Sequence, residues 1–92
     1  MILQDQIQKC STNYLKWKGL ALNTLDPRES RKCLEKAFFW LELQTAFVTL
    51  FAVEQTKGKD PKIKRKILMA KANLSRRLAD YARQTLDEIN SG

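Results

Sequence analysis

The sequence predicts an all-α protein: an antiparallel bundle of three long helices in a single domain over residues 1–92. Three observations carry this expectation. Two Asp-Pro pairs cut the chain, the outer segments space apolar residues four and three apart, and the middle segment is apolar on nearly every side. Ninety-two residues leave room for one core, and 43% apolar content belongs to a folded chain rather than a disordered one. No segment is low in complexity, and no internal repeat is present.

The cuts come from local chemistry. In Asp26-Pro27 and Asp60-Pro61 the carboxylate can accept from free amides of a first helical turn. Proline suits the first helical position because no amide is needed there. Glu29, three residues after Asp26, completes the pattern of a capping box. Gly58 follows Lys57 as a terminator able to take a left-handed backbone. The expected helices therefore lie near 2–24, 27–57 and 61–90.

Periodicity agrees with these cuts. Leu3, Ile7, Cys10, Tyr14, Trp17 and Ala21 share one face of the first helix, with Gly19 a weak point near its end. Ile63, Ile67, Ala70, Leu74, Leu78, Tyr81, Thr85 and Ile89 do the same in the third. The second differs, because AFFWLELQTAFVTLFAV, from Ala37 to Val53, carries only Glu42 as a charge. Such a helix is central to a bundle or spans a membrane. Glu42, Gln44, Thr45 and Thr49 would be costly in lipid, so the expectation is a central bundle helix outside any membrane.

Two neighbouring helices cover only part of a helix that is apolar all round. Phe39, Trp40, Leu43, Phe47 and Phe51 are the residues expected to meet another protein subunit. The alternative is that bends and long flanking side chains cover this surface within the chain.

Catalytic chemistry finds no support. No Gly-rich phosphate loop, nucleophile elbow or metal-ligand cluster occurs, and the absence of His removes the commonest general base. A buried Glu42 would have a raised pKa and suit a general acid. The plainer reading puts it on an exposed polar stripe with Arg31, Glu35, Thr45 and Thr49. Cys10 and Cys33 belong to no CxxC pair and read as small reduced residues partly inside a core. The expectation is a non-enzyme with no metal and no cofactor. MILQDQIQKC has no long apolar run, so no cleaved signal peptide is expected and the cytoplasm is the expected compartment.

Charge is the strongest functional signal. Between Lys57 and Arg83 stand ten Lys or Arg against two acids, while the rest of the chain holds seven against eight. The whole net charge of +7 is thus concentrated on one element, a pattern suited to a polyanion. On a helical projection Arg65, Arg76 and Arg83 fall within about 20° of one another, opposite Ile67, Leu74 and Leu78. They climb roughly 27 Å of helix. Lys57, Lys59, Lys62, Lys64 and Lys66 crowd the link and first turn, where cations oppose the helix dipole. With Arg77 these residues form the expected nucleic-acid-binding set. No aromatic interleaves with them, so the contact expected is with the phosphate backbone, of RNA or DNA, without sequence readout. Against this stands the ordinary reading of a solvated face, with Asp80 offsetting Arg76 or Arg83.

The Lys57–Arg83 rail and the AFFWLELQTAFVTLFAV helix together make the chain resemble the small subunits of CRISPR effector complexes. That resemblance implies a non-catalytic subunit of an antiviral nucleoprotein assembly. It implies contacts with other protein subunits, association in several copies, and basic helix faces that hold nucleic-acid strands. It transfers no residue by position. The competing expectation is a protein-interaction adaptor or regulator whose basic helix meets an acidic partner.

Overall fold

Three helices account for nearly all of the chain: α1 (Leu3–Asn23), α2 (Pro27–Lys57) and α3 (Pro61–Ser91). The structure, a computed structural model, describes residues 2–91 apart from the side chains of Ile89 and Ser91, so the expected apolar role of Ile89 lies outside the described residues. No strand occurs among them, and the protein is all-α. α1 runs unbroken through Gly19.

The Asp-Pro pairs start α2 and α3 as their chemistry requires. Asp26 accepts from the Arg28 amide at 3.0 Å, and Asp60 accepts from the Lys62 amide at 2.9 Å. Two local expectations need correction. Glu29 makes no capping-box bond; the Asp26 amide donates instead to the Thr24 hydroxyl at 3.3 Å, and Glu29 lies 3.9 Å from Lys32. Gly58 is right-handed, at φ −65° and ψ −13°. Glycine is needed there for a different reason: a Cβ would run into the Glu54 carbonyl oxygen.

Side-chain pairing orders the helices. The Ser30 hydroxyl donates to the Ala21 carbonyl at 3.0 Å, and the Lys36 ammonium lies 4.5 Å from the centre of the Trp17 ring. Rising position in α1 thus meets falling position in α2, and the two pack along their length. Across α2 and α3, Glu54 meets Lys71 at 3.0 Å, Glu42 meets Arg77 at 3.1 Å and Lys36 meets Glu88 at 3.5 Å. α3 touches α2 at fewer points than α1 does. A groove of about 580 Å³ opens between their far halves, with Lys36, Phe39, Tyr81 and Thr85 in its walls.

The core draws on all three helices: Leu3 and Cys10 from α1, Trp40, Leu43 and Phe47 from α2, and Leu74 from α3. Ile7, Tyr14, Trp17, Leu78 and Tyr81 pack around it, so the apolar stripes expected for α1 and α3 face inward. Phe39 stacks on Tyr81 with centroids 4.2 Å apart, and Trp40 meets Tyr81 edge-on at 5.3 Å. These aromatic contacts join α3 to α2 where backbone approach is sparse. Cys10 is buried, Cys33 is half-buried, and both are free thiols.

Candidate nucleic-acid interface

Ten cations lie between Lys57 and Arg83, and the fold sorts them into two groups. Lys71 and Arg77 are drawn onto α2 by Glu54 and Glu42. Arg77, a member of the expected binding set, lies at the α2 seam: its guanidinium meets Glu42 at 3.1 Å while 42% of its side chain stays exposed. The other eight, Lys57, Lys59, Lys62, Lys64, Arg65, Lys66, Arg76 and Arg83, are exposed. None of them has an ion-pair partner among the described residues, and Asp80 neutralises neither Arg76 nor Arg83.

The inner stripe of α3 determines this geometry. Burial of Ile67 and Leu74, at 5% and 8% exposure, turns the opposite side of the helix to solvent. Arg65, Arg76 and Arg83 lie on that side, because multiples of roughly 3.6 residues return them to one line. The lysine head begins at the α2–α3 link, where Asp60 supplies the helix cap and the only carboxylate. Together they make an elongated cationic surface on a molecule 50 × 25 × 16 Å in extent. An arginine fork suits two oxygens of one phosphate, while a lysine acts as a mobile point charge.

Burial corrects three of the five residues expected at a protein contact on α2. Trp40, Leu43 and Phe47 are 7%, 0% and 0% exposed and form the chain's own core. Phe39 and Phe51 are half-buried against it. The bare apolar surface of α2 is a different line, Leu34, Phe38, Leu41 and Val48, with Phe38 60% exposed. Thr45 and Ala52, also exposed, complete a four-three spacing from 34 to 52. That second register was present in the sequence and separates the two lines once the Trp40–Leu43–Phe47 line is assigned to the core. Glu42 keeps 68% of its side chain exposed beside Glu35, Thr45 and Thr49, as the polar-stripe reading expects. Among the described residues, no cluster of His, Cys, Asp and Glu is arranged to hold a metal ion.

No known protein family, curated protein or solved structure matches this chain.

Proposed function

We propose that this protein is a non-catalytic, nucleic-acid-backbone-binding small subunit of a larger nucleoprotein assembly, acting in the cytoplasm. Its helices are read as an antiparallel three-helix bundle, the arrangement that short links and opposed pairings favour. The observation that carries the reading is the set of eight exposed cations on α3 and its approach, unpaired among the described residues, beside two others that are paired. Phosphate contacts fix position and carry no sequence information, so the binding is sequence-independent. The resemblance to CRISPR small subunits agrees with this reading and suggests an antiviral setting.

Fluorescence anisotropy with labelled single strands and duplexes tests it. Wild-type protein binds in low salt, and the triple variant Arg65→Glu, Arg76→Glu, Arg83→Glu loses most of that affinity. Unchanged binding by the triple variant overturns the assigned surface.

The bare line on α2 favours a second reading, a protein-interaction module whose basic helix meets an acidic protein. Purified protein free of nucleic acid, in a stable complex with an acidic protein, would support it. By length and composition α2 is also long and apolar enough to cross a membrane. Its line of Trp40, Leu43 and Phe47 is already committed to α1 and α3, which favours a helix within a bundle.

A further inference from the structure

The exposed apolar line of α2 needs an occupant, and the same chain carries a surface that matches it. Leu34, Phe38, Leu41, Thr45, Val48 and Ala52 follow a strict four-three spacing over roughly 27 Å of helix. On the outer side of α3, Leu68, Ala72, Ser75, Ala79, Ala82 and Leu86 repeat the same spacing over the same length, and all are exposed. Neither line belongs to the core.

We propose that the α2 line of one copy docks antiparallel on the outer line of α3 of a second copy. Antiparallel heptads meet in layers, and one register aligns all six. It sets Leu34 against Leu86 of the second copy, Phe38 against Ala82, Leu41 against Ala79, Thr45 against Ser75, Val48 against Ala72 and Ala52 against Leu68. Bulk meets small side chains in most layers, the condition for close interdigitation, and the two hydroxyl residues share one layer. A shift by one heptad in either direction strands at least two layers.

Charge selects the same register independently. Glu35 and Glu42 flank the α2 line seven residues apart, and Arg76 and Arg83 flank the α3 line seven residues apart. In the six-layer register Glu35 falls beside Arg83 of the second copy and Glu42 beside Arg76. Among the described residues Arg76, Arg83 and Glu35 have no ion-pair partner, and Glu42 remains largely exposed beside Arg77. An α2-to-α2 pairing would set no cations against Glu35 and Glu42, so charge complementarity favours the α2-to-α3 contact.

Used one way, from the α2 line of each copy to the α3 line of the next, the contact is heterologous and extends to rings or open stacks. The lysine head, Lys57 to Lys66, lies beyond the last layer and stays available to a polyanion. Arg76 and Arg83 are shared between this contact and the proposed nucleic-acid surface.

Sedimentation of the full chain without nucleic acid, across a concentration series in low salt, tests the contact. Wild-type protein forms species beyond the dimer as concentration rises. Glu35→Arg with Glu42→Arg places like charges on both flanks and leaves a 10.7 kDa monomer. Arg76→Glu with Arg83→Glu does the same. Mixing the two variants one to one restores assembly, because every mixed contact again joins opposite charges. A monomeric wild type at every soluble concentration overturns the proposal, and so does an oligomer that either double variant leaves intact, including one that stops at the dimer. Since nucleic acid is absent, and Lys62→Gln with Lys64→Gln is predicted to weaken polyanion binding while sparing assembly, this reading and the binding reading fail separately.

Discussion

Arg77 donates to Glu42 at 3.1 Å across α2 and α3, while Arg76, the preceding residue, faces solvent with no ion-pair partner among the described residues. A turn of about 100° separates the two side chains and gives them different tasks. Replacing Arg77 with Ala should cost stability, by about 0.2–1 kcal/mol for so exposed a pair, and affect polyanion binding little. Replacing Arg76 with Ala should leave stability within about 0.5 kcal/mol and weaken binding. Urea melts and anisotropy on the two single variants check the contrast.

The two apolar lines of α2 predict a second contrast. Phe47 is fully buried, and Phe47→Ala should cost about 3–5 kcal/mol, enough to threaten a domain this small. Phe38 is 60% exposed, and Phe38→Ala should change monomer stability far less. Chemical denaturation followed by far-ultraviolet circular dichroism at low protein concentration measures both.

How much of this was legible in the sequence follows from which interactions are local. Asp26, Pro27, Asp60 and Pro61 act within one turn of their own backbone, and the observed helix ends lie within one residue of those expected. The stripes of α1 and α3 were legible because the longest regular apolar run of each helix, Leu3–Cys10–Trp17 and Ile67–Leu74–Tyr81, is the one that faces inward. α2 has two, at Trp40–Leu43–Phe47 and at Leu34–Phe38–Leu41, and the sequence does not rank them. The choice belongs to helix packing, which also decides that Lys71 and Arg77, but not Arg76, meet carboxylates.

The helix starts offer a third prediction. Asp26→Ala removes the acceptor for the Arg28 amide, and Asp60→Ala removes that for the Lys62 amide. Each should lower stability by about 0.5–2 kcal/mol. The Asp60 variant should bind polyanions no more weakly than wild type, since it also deletes a negative charge from the lysine head. Thermal melts and binding curves test the pair.

Cysteine chemistry gives a fourth. Burial pushes the Cys10 thiol above its ordinary pKa of 9.0, with the Lys9 charge a smaller opposing influence. A folded-state value above the unfolded one stabilises the fold below pH 9.0 relative to higher pH, because the unfolded chain gains the thiolate first as pH rises. Melting temperature should therefore fall more steeply above pH 9.0 in wild-type protein than in Cys10→Ala. In thiol titrations near neutrality, half-buried Cys33 should react before buried Cys10.

The most direct measurement is the salt dependence of polyanion binding. Three or four neutralised phosphates predict a slope of about −3 for log affinity against log salt on duplex DNA. The slope should be alike for two unrelated sequences and shrink by roughly one for each cation removed among Arg65, Arg76 and Arg83. A slope near zero, or one that those substitutions leave unchanged, would contradict an outward cationic rail as the binding surface.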